Sequence, residues 1–434
     1  MVAGPVTIET PVEPTTVRLR RWAGILSAYF TAQSLTQLAG IAAGLLLVRT
    51  MPVREFAFYT LALSVVTFFT FVSDLGSSSA LVHFFHRTRR EGEGDFAPYL
   101  AAVLSLRRIA FLAGSLAVLV AFPAAAATKG YGGWEIALVT GGILLCVWFQ
   151  IRSSLRVLAL RLTDCYGASY RAELAGAAIR LLFVLVLIAA AWLQAWLAVL
   201  AGAAATATVA WLAHPKALTT PTSELGPYRR RVLRFLLPTL PSACYFSVQG
   251  PLIVWLAATF GATRNIAEVG ALSRLGLVVG IFSSLTSVVF LPRLARIADE
   301  RFWRARLFQF GGLLLCLSLG LLLAAALFPG PFLGLLGERY SALQRELLLV
   351  VAGAGMTLLD GYLVSVNLSR SWTRWQGLAV ASLVTMQATL VIFVPLGSTS
   401  GVLTFNLLSA AAALAGQLAI TALGLTRPHL VLWR

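Results

Sequence analysis

Two arginines stand alone inside otherwise apolar segments: Arg180 in GAAIRLLFVLVLIAAAW and Arg274 in GALSRLGLVVG. A guanidinium is a rigid fork of donors that grips a phosphate bidentately. A charge within an apolar run is costly unless it faces protein or a wet cavity. Each arginine therefore has two readings. Arg180 either snorkels to headgroups about one turn from the cytoplasmic end of its helix, or contacts a lipid phosphate. Arg274, beside Ser273 and Gly276, either faces a cavity, snorkels or forms an internal pair.

Two carboxylates share this setting. Asp74 in FVSDLGSS and Asp360 in TLLDGYLVS can pair with arginine, or accept a proton or a sodium ion. For Asp74 the alternative is structural, holding backbone or hydroxyl groups near Gly76 and Ser77. Gln33 and Gln37 stand four apart, on one helical face, and suit neutral sugar hydroxyls. Asn367 is a further candidate cavity amide, and Gln150, Gln249, Gln387 and Asn406 add more. For each, the competing role is helix–helix hydrogen bonding.

The elements that carry these residues are membrane spans. The chain has 434 residues, of which 59% are hydrophobic and only 12% charged. Soluble domains run near a quarter charged, so this composition disfavours a cytosolic enzyme, a nucleic-acid binder and a disordered scaffold. Continuous apolar runs of about 20 residues fit helices and exclude the alternating pattern of a β-barrel. The expected fold is an all-α polytopic membrane protein. Twelve helices are predicted at 23–48, 57–85, 108–127, 134–155, 174–191, 194–213, 232–259, 269–291, 307–328, 347–368, 377–396 and 401–424.

Net charge +17 would suit nucleic acid if the basic residues formed one patch. They recur between apolar runs instead. With the N-terminus inside, the tails and cytoplasmic loops hold 26 of the 34 Lys and Arg, against six in the opposite loops. That bias predicts an inner (plasma) membrane protein with both termini cytoplasmic. Residues 1–20 read as a flexible tail without a signal-peptide pattern. Two six-helix lobes are expected at 21–213 and 232–424, with a basic, proline-containing linker at 214–231 and a tail at 425–434.

Cys146, Cys165, Cys244 and Cys316 form no C-x-x-C pair and read as small packing residues rather than a metal site. Pro238 and Pro241 fall in the expected seventh span, where proline removes a helical donor and favours a kink or hinge. The segment 96–108 reads as an amphipathic surface helix. Phe302, Trp303, Trp372 and Trp375 read as interfacial anchors.

The halves share a weak repeat. REFAFYTLALSVVTFFTFVSDLGSSSALVHFFHR and AEVGALSRLGLVVGIFSSLTSVVFLPRLAR each begin near a glutamate, Glu55 or Glu268, and end in basic residues. Six spans per half make the copies parallel, related by an axis along the membrane normal, with a transport route between them.

These stretches resemble the polysaccharide exporters of the multidrug/oligosaccharidyl-lipid/polysaccharide (MOP) superfamily. The likeness is clearest at Glu55, Phe56, Tyr59, Asp74, Gly76, Ala80 and Val82, with Ala57 in place of the usual glycine and His83 where a basic or polar residue is common. Gly270–Arg296 and Leu335–Gly353 extend it. The resemblance implies a V-shaped pair of lobes, alternating access and a hydrophilic central cavity. It implies translocation of a polyprenyl-(pyro)phosphate-linked glycan for cell-surface polysaccharide biosynthesis, alongside assembly glycosyltransferases or a polymerase. No cofactor or metal is expected, with proton or sodium coupling open.

No G-x-x-x-x-G-K-[ST] stands in the sequence, which disfavours ATP hydrolysis by this chain. The alternative is a cation-coupled multidrug or metabolite exporter, which calls for clustered carboxylates in one lobe. A glycosyltransferase or ligase calls for a sizeable outer loop, and the longest here is roughly Phe328–Glu346. A non-transporting organiser of partner enzymes is the remaining class.

Overall fold

The computed structural model describes residues 15–91, 96–214, 225–237, 240–285, 299–372, 374–427 and 431, with side chains undescribed at 15–30, 90–91, 241–242, 277–278, 280–281 and 283–285. The extreme N-terminal tail, linker residues 215–224, Pro238, the basic end of the second repeat at Arg293 and Arg296, and residues 428–430 and 432–434 lie outside this set.

The chain is all-α. The first half contains α1 (Thr15–Thr50), α2 (Val53–Asp74), α3 (Ser77–Glu91), α4 (Ala97–Ala127), α5 (Gly133–Leu162), α6 (Tyr166–Ala189) and α7 (Ala195–Leu212). A short α8 (Gly226–Leu236) leads to α9 (Leu240–Phe260), α10 (Thr263–Leu285), α11 (Glu300–Leu327), α12 (Pro329–Leu336), α13 (Gln344–Ser369), α14 (Gln376–Phe393) and α15 (Thr399–Thr426). Among the described residues, eleven stretches are long and apolar enough to cross a membrane, α2 and α3 together forming one. The expected eighth span corresponds to α10, which runs into residues outside the described set.

Three expectations about elements change. The region 96–108 is no separate surface helix; α4 is continuous from Ala97, and its Arg107 is buried. The expected seventh span divides into α8 and α9. Helix α8 (GPYRRRVLRFL) segregates arginines from apolar residues, and it packs on α3 and α4. Pro241 is the second described residue of α9, and Pro251 stands inside that helix. The second span breaks at Leu75 and Gly76, both with positive φ (38° and 81°). Glycine accepts that conformation freely, so Gly76 is the residue that permits the turn.

The packing explains the two-lobe form. One core runs through both halves, joining Phe56–Ala62 of α2 to Ile266–Leu272 of α10 and Val254–Ala257 of α9. This core lies toward the end of the bundle whose loops carry few basic residues, here the sparse end. At the opposite, basic end the cores separate. Leu81, Phe84, Tyr99 and Leu155 form one in the first half, and Trp303, Leu307, Tyr362 and Trp372 form another in the second. Trp303 is fully buried, stands edge-on to Trp372 at 5.9 Å, and lies under the Arg370 guanidinium at 3.9 Å. Trp303 and Trp372 are therefore core residues rather than the expected anchors; Phe302 and Trp375 remain exposed.

Large apolar side chains also cover the outside, among them Leu116, Trp211, Leu323 and Phe393. Lipid tails are as apolar as leucine, so dispersion and close approach hold such helices together rather than water exclusion. Gly270 shows this at the lobe interface, because a Cβ there would lie 2.5 Å from Thr60. Only Cys146 is buried; Cys165, Cys244 and Cys316 are exposed, so packing accounts for one cysteine of the four.

The weak repeat has a structural counterpart. Glu55 accepts a hydrogen bond from the backbone N–H of Ala195, the first residue of α7, at 2.8 Å. Glu268 accepts one from the hydroxyl of Thr399, the first residue of α15, at 2.5 Å. In each half the glutamate of the second span meets the N-terminus of the sixth, where a negative charge is favoured.

Candidate functional site

Arg180 stands 14 residues into α6, about 21 Å along the axis from its start at 1.5 Å per residue. The helix begins earlier than expected, so Arg180 lies deep rather than one turn from the basic end. Snorkelling is accordingly replaced by an internal contact: its Nη2 donates to the hydroxyl of Tyr59 at 3.0 Å. Tyr59, on α2, is 1% exposed.

Arg274 reaches the same tyrosine from the other half. Its guanidinium carbon lies 5.9 Å from the Tyr59 ring centroid, at the outer limit of a cation–π contact. Its Nε is buried and has no hydrogen-bond partner. Gly44 of α1 lies against the Arg274 side chain. Two cations, one from each half, thus converge on one phenol.

Beside Arg180 the first half encloses a cavity of about 390 Å³. Its walls come from α1, α5, α6 and α7, and include Thr36, Gln150, Ser153, Glu173 and Thr206. Glu173 pairs with Arg161 at 2.7 Å, in the direction of the basic end. Thr36 and Gly40 line this cavity, and Gln33 and Gln37 lie on the same face of α1, at helical spacings of three and four. Both glutamines are half-buried. A second cavity of about 290 Å³ lies in the other half, walled mainly by Ile253, Val279, Val350 and Leu403, with Ser273 and Asn406 among its few polar residues. The two cavities therefore differ in chemistry.

Asp74 sits apart from the arginine pair. Its Oδ1 accepts from Ser77 Oγ at 3.1 Å, Ser78 N at 3.2 Å and Ser78 Oγ at 2.8 Å, which ties down the start of α3. Arg107, 3% exposed, donates to the same oxygen. Arg107 also donates from Nε to Ser77 at 2.8 Å and from Nη1 to Ser154 at 2.9 Å. This carboxylate is engaged on the turn and on α4, the structural alternative for Asp74. The sequence places Arg107 on the expected surface helix 96–108; its position four residues after Val103 on the buried face of α4 is the signal that finds it.

Asn367 lines neither cavity. It is fully buried, donates to Gln417 Oε1 at 2.9 Å, and accepts from Thr421 at 2.9 Å. Gln376 joins the network through Gln417 at 3.1 Å. Here the amide holds α13, α14 and α15 together. Gln387 likewise donates to Gln249 at 3.0 Å, joining α14 to α9. Asp360, on α13, is half-buried, and its Oδ1 is buried without a hydrogen-bond partner.

At the sparse end the halves are tied by hydrogen bonds. Arg339 donates to the Met51 carbonyl at 2.8 Å, and Lys129 to the Gly261 carbonyl at 2.8 Å. Deeper in, Trp255 donates to Ser64 at 3.0 Å. Near this latch the Tyr131 hydroxyl donates to the Arg54 carbonyl at 3.0 Å, and burial pushes that phenol above its usual range. Among the described residues, no group of His, Cys, Asp or Glu is placed to hold a metal ion.

No protein-family model matches the chain, and no curated protein sequence is significantly similar to it. Solved structures share its fold. The lipid II flippase MurJ, in an inward closed conformation, aligns over 91% of this chain and 87% of its own, with a TM-score of 0.72 at 12% identity. An inward-facing multidrug-resistance MATE transporter of the MOP superfamily aligns over 90% and 96%, with a TM-score of 0.59 at 16% identity. A eukaryotic MATE transporter aligns over 92% and 96%, with a TM-score of 0.57 at 12% identity. The chain thus has the two-lobe membrane fold of MOP-superfamily transporters.

Proposed function

We propose that this chain, built on the fold of the MOP transporters, moves a lipid-linked oligosaccharide or polysaccharide repeat unit across the membrane by alternating access. One observation carries the reading. Arg180 and Arg274, from opposite lobes, converge on Tyr59 beside a polar cavity in the first lobe. Paired guanidiniums suit a pyrophosphate, whose two phosphoryl groups each accept a fork of donors. Gln33 and Gln37 on the α1 face, with Gln150, Ser153 and Thr206 around the cavity, suit sugar hydroxyls. The lipid tail stays in the bilayer, so the cavity need enclose only the head.

In this reading the basic end lies in the cytoplasm of a plasma or inner membrane, and the latched sparse end faces out. Rocking the lobes about their shared core exchanges access from one end to the other. Because Arg180 and Arg274 belong to different lobes, that motion changes their spacing, and a phosphate held by both is released as they part. Assembly glycosyltransferases or a polymerase are the fitting partners.

The second reading is a cation-coupled exporter of small molecules, and Asp360 is compatible with it. Its unpartnered buried oxygen suits proton or sodium coupling, which a gradient-driven flippase would use equally. The distinguishing experiment is a proteoliposome assay with a fluorescent polyprenyl-pyrophosphate oligosaccharide, scored by its accessibility in each leaflet. Exposure above empty vesicles and above Arg274→Ala supports the flippase. Folded protein that moves no such lipid under imposed proton or sodium gradients, yet moves organic cations, supports the exporter.

A further inference from the structure

Helices α4 and α5 bring a second set of arginines together, away from Arg180 and Arg274. A pocket of about 200 Å³ is lined by Leu100, Leu104 and Arg108 of α4 and by Arg152, Leu155 and Arg156 of α5. The spacings are helical: 100, 104 and 108 share one face of α4, and 152, 155 and 156 share one face of α5. Each of these faces is apolar at its floor and cationic at its rim. The pocket lies at the basic end of the bundle.

Two of these guanidiniums are held in place by uncharged groups. Arg152 stacks over the Trp148 ring at 4.2 Å, and Arg156 donates to the Ala210 carbonyl at the end of α7. Arg108 is exposed. Among the described residues no carboxylate forms an ion pair with any of the three, although nearby cations are paired, Arg107 with Asp74 and Arg161 with Glu173. Three like charges around a small pocket repel one another, and an anion seated between them removes that penalty.

We propose that this pocket binds the phosphate of an anionic lipid headgroup. The apolar surroundings favour a lipid over a free anion. Leu100, Leu104 and Leu155 give the pocket an apolar floor. The Arg108 face of α4 continues one and two turns on as Leu112 and Leu116, exposed at 65% and 69%. A lipid with its phosphate at Arg108 lays its acyl chains along these leucines. The pocket is separate from the translocation cavity and lies at the joint between α4 and α5, so a bound lipid braces these helices.

Native mass spectrometry of the full-length protein in detergent tests this, with phosphatidylglycerol and phosphatidylcholine supplied in equal amounts. Wild-type protein should retain phosphatidylglycerol preferentially. The Arg108→Gln/Arg152→Gln pair should lose that preference by roughly fivefold per arginine. Arg156 is left intact because it holds α7. Arg108→Lys/Arg152→Lys keeps the charge without the fork and should fall between, which protects the test if the glutamine pair folds poorly. Arg171→Gln, at an exposed position of the same end, should match wild type. Undiminished preference in the glutamine pair, or in the lysine pair should the glutamine pair not fold, overturns the proposal. Full displacement of the lipid by inorganic phosphate shows a free-anion site and overturns the lipid assignment.

Discussion

Arg180 and Arg274 lie on different lobes and meet at Tyr59, one through the phenol hydroxyl and one over its ring. The tyrosine gives both guanidiniums a neutral resting place, which a phosphate can replace with a far stronger partner. Tyr59→Phe separates the two contacts. It removes the acceptor for Arg180 and leaves the ring under Arg274. An unsatisfied buried donor costs about 1–3 kcal/mol, so the midpoint of thermal unfolding should fall by a few degrees while transport changes more than protein level does. Transport and unfolding both at wild-type values would show that the hydroxyl contact carries no energy.

The Asp74–Arg107 pair predicts a stability effect rather than an ion effect. Arg107 is buried and Asp74 half-buried, so losing the carboxylate leaves a buried cation uncompensated, at a cost below the about 3–5 kcal/mol of a fully buried pair. Arg107→Ala and Asp74→Asn should each lower the unfolding midpoint substantially, and the double variant should be less destabilised than their sum. A normal midpoint in Asp74→Asn, with lost dependence on a proton or sodium gradient, would assign that carboxylate to coupling.

Gly270 predicts a conformational effect. A larger side chain collides with Thr60 where α2 meets α10. Gly270→Val should therefore disfavour the state latched at the sparse end. In a cysteine-free background, Thr60→Cys should react faster with an impermeant thiol reagent applied from that end when Gly270→Val is added. Equal rates would show that the lobes part elsewhere.

Arg339 and Lys129 make the same point without adding bulk. Each donates across the lobe boundary to a backbone carbonyl, Met51 or Gly261. Replacing both by alanine should raise the same Thr60→Cys reactivity by roughly tenfold, if the two charged donors together contribute about 1.4 kcal/mol. Unchanged reactivity would reduce them to surface contacts.

Much of the architecture is legible in the apolar runs, because a helix that crosses hydrocarbon must be long and nearly free of charge. The breaks are less legible. Leu75–Gly76 and the division of α8 from α9 depend on a local turn and an amphipathic face, both hidden inside continuous hydropathy. Burial within the membrane is the least legible property, since lipid-facing and core positions share the same residue types. Trp303 reads as an anchor and is core, while Cys316 reads as packing and is exposed. Lone charges were the better guide: Arg180 and Arg274 stood out by type, but their shared partner, at position 59, could come only from the fold. Asn367 shows the converse, a polar residue singled out by type and engaged in packing.

In the proposed transport cycle Arg180 and Arg274 act as one phosphate site across the lobe boundary. The direct test is a double-mutant cycle of Arg180→Gln and Arg274→Gln, read as translocation of a polyprenyl-pyrophosphate oligosaccharide per folded molecule in proteoliposomes. Each single variant should lose about tenfold or more, equivalent to about 1.4 kcal/mol, and the double variant should lose less than the product. Two wild-type rates, or strictly multiplicative losses, would contradict a shared site.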